Sequence, residues 1–232
     1  GTDIISCFAS GLPVKPVWRG EIQSVAIGMK VRVFNDEGGE VEGEKGELVC
    51  LESFPSMPIG FWNDKDNKKY LSAYFKKFTG VWTHGDYSEI TKNKGMVIYG
   101  RSDAILNPGG VRIGTAEIYR QVESFQEIIE AICVSQEWEK DIRIILFIKM
   151  VQGKKLDDEL VNRIKNKIKN NASPRHVPAK IISVKDIPRT ISGKITELAV
   201  REIIHNRPVK NKEALANPEV LSYFKDLEEL RD

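Results

Sequence analysis

The sequence predicts an α+β protein in two parts that differ in composition and periodicity. Residues 1–101 contain short apolar runs broken by Gly and Asx turns, with no long helical period. Residues 102–232 alternate amphipathic helical segments with apolar strands, a pattern typical of a small α/β domain, and they end in a polar tail. The change near residues 101–103 predicts a domain boundary there, which gives domains 1–101 and 102–232.

The first part is predicted to be rich in strands. Val31–Phe34 is an apolar run, and the Asn and Gly residues of Asn35–Gly39 then supply the positive φ that a tight turn needs. Further strands are predicted at Gly46–Leu51 and Met96–Tyr99, and a helix near Tyr70–Phe78.

The second part is predicted to alternate helices and strands. Apolar residues recur every four positions from Leu156 to Ile168, with acids before them and lysines closing the segment, an order that suits the helix dipole. The other predicted helices are Thr115–Phe125, Ile195–His205 and Pro218–Leu230, and the predicted strands are Ala131–Val134, Ile142–Met150 and Ala179–Val184.

Composition limits the class of protein. The 232 residues include 35 Lys plus Arg and 33 Asp plus Glu, a net charge of +2, which gives no support to nucleic-acid binding. No apolar run approaches the roughly 18 residues that span a bilayer, so no membrane partner is expected. Three separated cysteines without a CxxC pair predict a reducing, cytoplasmic location and no cysteine metal site. The chain opens without Met, so a fragment of a longer protein is expected.

The most distinctive local motif is Pro188-Arg189-Thr190-Ile191-Ser192-Gly193-Lys194. A lysine at the end of such a loop is able to reach a neighbouring site, where its compact ammonium suits charge developing on a reacting phosphate and carboxylate. Taken alone, the motif far more often marks a solvated loop lysine.

A second motif joins two arginines to a tight turn. Gly100-Arg101-Ser102-Asp103 is followed by Asn107 to Ile113, which reads as a β-hairpin around Pro108-Gly109-Gly110, with Arg112 beside the turn. Arginine offers a planar fork for phosphate oxygens, and glycine lets a ligand approach the backbone. A plain hairpin with surface arginines is the alternative.

A third motif is Thr83-His84-Gly85-Asp86, which follows Val81-Trp82. A carboxylate at the end of a strand is suited to hold ribose hydroxyls. Gly-Asp is also common in turns, and His84 is expected to be a packed or solvated residue rather than a base or ligand.

The order and spacing of these motifs resemble those of the adenylate-forming superfamily, which includes acyl-CoA synthetases, firefly luciferases and peptide-synthetase adenylation domains. The resemblance covers essentially the whole chain, and it is greatest to the branch that acts on acetoacetate. Its most specific stretches are Gly1–Phe8, Pro55–Trp62 and Gly109–Ile118, with Asn217-Pro218 in the tail.

The resemblance implies a two-step ligase that uses acetoacetate, ATP and CoA with Mg²⁺. The acid reacts with ATP to give an acyl-AMP, and a thiol then displaces AMP. It implies that Lys194 is the catalytic lysine of adenylation. It also implies that Asp86 and Arg101 hold the ribose and that Arg112 lies near the AMP phosphate.

The remaining roles are implied in the same way. Thr2 and Asp3 match the threonine and acid that meet phosphate and Mg²⁺. Asp103 matches the hinge, and Gly109 and Gly110 match the turn that approaches the pantetheine of CoA. The fold implied is the barrel-like end of a large adenylation domain, residues 1–101, followed by a small mobile lid domain, residues 102–232.

Two departures accompany the resemblance. Asp3 stands where most of the superfamily has Glu, and Thr196-Glu197 follows Lys194 where many members carry Arg. The Ser/Thr/Gly-rich phosphate loop and most of the acyl pocket of the superfamily have no match in the chain. We therefore expect the chain alone to have little or no ligase activity.

Alternative interpretations stay open. One is a synthetase for another short acid, such as acetyl-CoA synthetase, or a luciferase-like relative, and another is a non-catalytic interaction module made from the lid domain. A basic group, Lys165, Lys167, Lys169 and Arg175, is either a site for CoA phosphates or a solvated helix face. The sequence predicts no oligomeric state.

Overall fold

The computed structural model describes all residues from Gly1 to Asp232, and the chain divides into two compact units, Gly1–Ser102 and Asp103–Asp232. No helix of either unit is long and apolar enough to cross a membrane.

The first unit is built on an open, four-stranded antiparallel sheet in the order β3-β4-β5-β6, beside a two-residue ladder of β1 and β2. The strands predicted near Val31, Gly46 and Met96 are confirmed, as is the helix near Tyr70 in a shorter form. The barrel closure implied by the resemblance stays a prediction. The elements are β1 (Ala9–Ser10), β2 (Ser24–Val25), β3 (Val31–Phe34), β4 (Gly46–Cys50), α1 (Lys68–Tyr74), β5 (Trp82–Ile90) and β6 (Met96–Arg101).

Strand β5 (Trp82–Ile90) corrects the expectation that Asp86 lies at the end of a strand. Thr83 pairs with Val49 and Tyr87 pairs with Glu47, so three residues of β5 oppose a single residue of β4. The strand bulges there and continues, because Gly85 adopts a φ of 81° that residues with a side chain rarely adopt. Asp86 therefore lies within a strand and not at its end.

Trp82 is the centre of the aromatic core of the first unit. Its side chain is buried and stacks on Tyr74 with ring centroids 3.8 Å apart and an interplanar angle of 12°. Phe54, Tyr70 and Phe75 contact the same indole at 5.5, 6.3 and 5.9 Å. Such aromatic packing fixes α1 against the start of β5.

The second unit has a three-stranded mixed sheet in the order β7-β8-β9, in which β7 and β8 are antiparallel and β8 and β9 are parallel. The predicted alternation of helices and strands is confirmed. The elements are α2 (Thr115–Val122), β7 (Ile128–Trp138), β8 (Asp141–Met150), α3 (Asp158–Asn171), β9 (Lys180–Val184) and α4 (Glu197–Ile204).

Alternate residues of β8 face two apolar cores. Ile144, Leu146 and Ile148 pack with α2 and α3, whereas Ile145 and Phe147 pack with α4 and the tail. Because side chains alternate along a strand, a sheet covered on both faces reads as a continuous apolar run. This explains the continuous apolar run from Ile144 to Ile148.

The tail corrects a second expectation. A single helix from Pro218 to Leu230 is predicted, but the structure has two 3₁₀ segments, Pro218–Phe224 and Glu228–Leu230. Asp226 between them has a φ of 53°, which interrupts any helix. Despite its polar composition the tail is anchored, since Phe224 is buried edge-on against Phe147.

The core position of Ile164 gives a stability prediction. Ile164 is fully buried on α3, so Ile164→Ala is expected to lower the free energy of unfolding of the second unit by about 2–5 kcal/mol. Urea denaturation followed by circular dichroism measures this. Asn166→Ala, on the exposed side of α3, is the control and should change stability little. Equal effects of the two changes would contradict the assigned core.

Candidate functional site

In the first unit, the bulge of β5 brings Asp86 against Arg101. The two residues are cross-strand partners of β5 and β6, and Arg101 Nη1 lies 3.5 Å from Asp86 Oδ1. The same Nη1 donates a hydrogen bond to the His84 carbonyl at 3.0 Å. A Cβ atom at Gly85 would lie only 2.6 Å from Arg101 Nη2, so the guanidinium lies over the glycine. The backbone conformation, with a φ of 81°, favours glycine at this position, and a larger residue would also have to displace the guanidinium.

Thr2 and Asp3 lie beside the same group. They form a 3₁₀ turn, Thr2–Ile4, and a Cβ atom at Gly1 would lie 3.1 Å from His84 Nε2. Thr2 Oγ1 donates a hydrogen bond to Asp3 Oδ1 at 3.4 Å. The four residues of the first unit that the motifs single out, Thr2, Asp3, Asp86 and Arg101, are thus brought into the neighbourhood of His84.

His84 is a member of this cluster that the sequence reasoning treated as packing. Only 11% of its side chain is exposed, Trp82 Nε1 donates to its Nδ1 at 3.4 Å, and its Nε2 lies 3.7 Å from Asp86 Oδ2. Burial lowers the pKa of His84, against the opposing effect of the Asp86 carboxylate. The imidazole is therefore favoured in its neutral form, with Nδ1 as the acceptor.

Tyr74 is a further member that the sequence reasoning missed. Its hydroxyl donates a hydrogen bond to Asp3 Oδ2 at 2.9 Å. Burial, together with the Asp3 carboxylate, raises the pKa of Tyr74 far above its usual value, so the phenol stays a proton donor. The only signal in the sequence is the aromatic spacing of Tyr70, Tyr74 and Phe75, which indicates a core.

In the second unit, Lys194 closes a tight loop. Lys194 N donates to Thr190 Oγ1 at 3.0 Å, Thr190 N donates to Lys194 O at 2.8 Å, and Arg189 and Ile195 form an antiparallel bridge. Gly193 has a φ of 82°, as the turn requires. The Lys194 side chain is exposed at the base of this loop.

The tail holds the Lys194 loop in place. Asn217 Oδ1 accepts a hydrogen bond from Arg189 N at 2.8 Å, and Asn217 Nδ2 donates to Ile187 O at 3.1 Å. Ala216 N donates to Arg189 O at 2.8 Å. The loop therefore has a fixed base, although its tip is exposed.

The Gly109-Gly110 turn differs from the predicted hairpin. A single bridge, Leu106 to Ile113, closes a 3₁₀ turn, because Gly109 and Gly110 have φ values of 57° and 78° that do not continue a ladder. Gly109 N donates to Asp141 Oδ2 at 2.9 Å. No atom lies within 4 Å of a Cβ built on Gly110, so its backbone is open to a ligand.

Asp103 and Arg112 lie on separate segments of the second unit. Asp103 belongs to the 3₁₀ turn Ser102–Ala104, and its carbonyl accepts a hydrogen bond from Arg201 Nη1 of α4 at 3.0 Å. Arg112 is exposed after the glycine turn. In this unit, then, the candidate residues occupy three distinct surface segments: the turn at Asp103, the glycine turn with Arg112, and the Lys194 loop.

The predicted basic group is not one cluster. Lys167 lies over the Phe125 ring at 5.0 Å and donates to Ser124 Oγ, which favours the interpretation of a solvated helix face. Arg175 instead lies near the glycine turn, where its Nη1 is 3.6 Å from a Cβ built on Gly109.

A buried acid, Glu197, lies at the start of α4. Tyr119 Oη donates to Glu197 Oε1 at 3.0 Å and accepts from Cys133 N at 3.0 Å. Burial raises the pKa of Glu197, and the nearby Asp103 charge acts in the same direction. Glu197 is one residue where the chain departs from the superfamily pattern, and the structure uses it to fix α4.

The oxygen donors at Asp3 and Thr2 suit a metal ion only if a bound substrate supplies the rest of the coordination sphere of that ion. No group of three or more His, Cys, Asp and Glu residues could hold a metal ion. Asp3 with Thr2 offers one carboxylate and one hydroxyl, and Mg²⁺ is commonly held by one or two carboxylates together with substrate phosphates. The residues therefore fit Mg²⁺ that arrives with a nucleotide.

The chain matches known proteins along its whole length. It is 63% identical over 231 residues to an acetoacetyl-coenzyme A synthetase of Rhizobium meliloti and 48% identical over 234 residues to that of Xenopus tropicalis. A solved acetoacetyl-CoA synthetase from Streptomyces lividans aligns with all of the chain at 39% identity and a TM-score of 0.92.

The chain is a relative of the acetoacetyl-CoA synthetases. It corresponds to their C-terminal part and spans about a third of their length, 36% of the Rhizobium protein and 35% of the Streptomyces chain. No protein-family profile matches the chain. A benzoate CoA ligase from Burkholderia xenovorans, 23% identical with a TM-score of 0.72 over 87% of the chain, shares the fold.

Within this acetoacetyl-CoA synthetase fold, Glu197 gives a pH-dependent prediction. Its folded-state pKa is raised above the ordinary value of 4.5, so the stability it contributes is present below that value and is lost as pH rises through the folded-state pKa. Glu197→Gln keeps an acceptor for Tyr119 without the charge, and it should raise the melting temperature at pH 8 relative to the unsubstituted chain.

The advantage of Glu197→Gln should shrink at pH 4, where the glutamate is protonated in both states. Thermal unfolding at the two pH values measures it. Glu202→Gln on the same helix is the control, since the Glu202 carboxylate contacts Arg201 and takes no part in the hydrogen bond from Tyr119. The difference in melting temperature between Glu197→Gln and the unsubstituted chain is compared at the two pH values. A smaller gain at pH 8 than at pH 4 would contradict the assigned burial cost.

Proposed function

We propose that the full-length protein carrying this chain is an acetoacetate–CoA ligase that forms AMP. The acetoacetate carboxylate attacks the α-phosphorus of ATP and releases pyrophosphate, and the CoA thiol then attacks the acyl carbonyl and releases AMP. The observation that carries the proposal is the 63% identity to an acetoacetyl-coenzyme A synthetase over the whole chain.

The first unit supplies groups for the nucleotide. Asp86 accepts hydrogen bonds from the ribose hydroxyls, and Arg101, held by the His84 carbonyl, donates to the ribose from the same side. Thr2 and Asp3 meet the phosphates and the Mg²⁺ that accompanies them. The Mg²⁺ supplies charge neutralisation at the phosphate oxygens. In support, these four residues lie in the neighbourhood of one buried imidazole.

The second unit supplies groups for one step at a time. Lys194 places its ammonium beside the reacting carboxylate and α-phosphate, where it stabilises the charge that develops. Arg112 lies near the AMP phosphate. Gly109 and Gly110 offer an open backbone to pantetheine in the second step. The location of these groups on separate segments supports their use in different steps.

A hinge at Asp103 lets the small domain present either segment. Residues 1–101 form the end of the adenylation domain, whose barrel closes with residues outside this chain, and residues 102–232 form a mobile lid. Rotation about one residue exchanges catalytic groups and excludes water from the acyl-AMP. The two compact units, which meet at Ser102 and Asp103, support this division.

The enzyme is proposed to work in the cytoplasm, where Cys7, Cys50 and Cys133 stay free thiols. We propose acetoacetate as the preferred acid, on the basis of the sequence identity to acetoacetyl-CoA synthetases alone. A panel of short acids assayed with ATP and CoA on the full-length protein tests the choice. The greatest kcat/KM with acetate would favour an acetyl-CoA synthetase, and no turnover of any acid would favour a non-catalytic module.

Lys194→Ala is predicted to separate the two half-reactions. Loss of the ammonium should slow acyl-AMP formation by a factor of about 10² to 10³, as loss of a group that stabilises developing charge does. Thioester formation from supplied acyl-AMP should fall far less. Rapid-quench measurement of each step in the full-length protein gives the ratio, with Lys210→Ala as the control lysine. Equal losses in both steps would contradict the assigned role.

Asp103→Pro is predicted to slow the exchange between the two steps, because proline fixes φ at the proposed pivot. Asp103→Ala, which leaves φ free, is the matched control. Acyl-AMP formation and thioester formation are measured separately, and Asp103→Pro should spare one and depress the other. If both steps keep the rates of the alanine variant, Asp103 is not the pivot.

A further inference from the structure

Tyr74 occupies the end of α1, where its ring is packed among other aromatic rings. It stacks on the buried indole of Trp82, contacts Phe61 and Tyr70 edge-on, and only 7% of the residue is exposed. A phenol fixed in this way has an oxygen whose position the core determines.

The Tyr74 oxygen is directed at one carboxylate. Its hydroxyl donates to Asp3 Oδ2 at 2.9 Å, across 71 positions of the sequence. Asp3 itself is exposed in the turn Thr2–Ile4, although Ile4 of the same turn is buried in the core. The hydrogen bond therefore ties an exposed acid to the rigid aromatic core.

Tyr70 shows that the arrangement at Tyr74 is specific. It lies one turn earlier on α1, packs against the same Trp82 ring, and also donates its hydroxyl. Its acceptor is the Pro58 carbonyl, a backbone group and not a carboxylate. The two tyrosines share packing and differ in what their hydroxyls hold.

We propose that Tyr74 is a positioning residue that orients the Asp3 carboxylate toward the Mg²⁺·nucleotide. The phenol holds Oδ2, and this fixes the direction in which Oδ1, beside Thr2, is presented. A residue that donates a hydrogen bond to a metal-binding carboxylate changes the affinity for the ion, although the residue does not touch the ion. The inference rests on the proposed function, since it assumes that Asp3 meets the ion that accompanies ATP.

The experiment compares Tyr74→Phe with Tyr70→Phe in the full-length protein. Both changes remove one hydroxyl and keep the ring, so the stack on Trp82 and the core persist. Mn²⁺ binding in the presence of a non-hydrolysable ATP analogue is measured by electron paramagnetic resonance, which needs no turnover. Tyr74→Phe should weaken Mn²⁺ binding about tenfold, and Tyr70→Phe should leave it nearly unchanged.

A double-substitution cycle tests whether Tyr74 acts through Asp3. In an Asp3→Asn background, Tyr74→Phe should cause little further loss of Mn²⁺ affinity, because the group it positions is already altered. The Mg²⁺ concentration for half-maximal acyl-AMP formation should rise about tenfold in Tyr74→Phe, with KM for the acid unchanged.

Three results would overturn the inference: equal Mn²⁺ affinities of the two phenylalanine variants, an undiminished effect of Tyr74→Phe in the Asp3→Asn background, or no Mn²⁺·nucleotide binding by the unsubstituted protein. Failure of the proposed function has a different signature. It would appear as normal Mn²⁺·nucleotide binding, sensitive to Tyr74→Phe, without acyl-AMP formation from any acid.

Discussion

The bulge in strand β5 is the constraint on which the candidate site depends. Trp82, His84 and Asp86 are alternate residues of β5, and their side chains lie together: Trp82 Nε1 donates to His84 Nδ1, and His84 Nε2 lies 3.7 Å from Asp86 Oδ2. The bulge interrupts the pairing of this stretch with β4, while Asp86 remains the cross-strand partner of Arg101 on β6. Gly85 makes this possible, since it supplies both the backbone conformation and the space under the guanidinium. The aromatic core at Trp82 holds the start of the bulge in place.

The two units divide the proposed chemistry in a way that suits two successive reactions. The first unit gathers its candidate groups into one polar cluster backed by a rigid core, as binding of the same nucleotide in both steps requires. The second unit spreads its groups over separate loops on a small mixed sheet, as alternating presentation requires. Buried Glu197 and the Arg201 contact to the Asp103 carbonyl stiffen the helix that follows the Lys194 loop.

Periodicity and turn chemistry predicted much of the fold, and motif order identified candidate residues that the structure brings together in the first unit. Helix α3 followed from apolar residues every four positions, and β3 from an apolar run before a glycine turn. The bulge at Gly85 could not be predicted from the sequence, because a Gly-Asp pair occurs in turns as well as in bulges. Tyr74 was missed because its partner, Asp3, is 71 positions away, and no local pattern reports such a contact. The tail was misjudged because one left-handed residue, Asp226, splits it.

The central claim is that Asp86 and its neighbours hold the nucleotide part of an acyl-adenylate. Calorimetric titration of the full-length protein with a non-reactive acyl-adenylate analogue tests it most directly. The account predicts saturable binding that weakens roughly tenfold or more in Asp86→Ala, since a charged hydrogen-bond acceptor is lost. Absence of binding, or equal affinity of the unsubstituted protein and Asp86→Ala, would contradict the account.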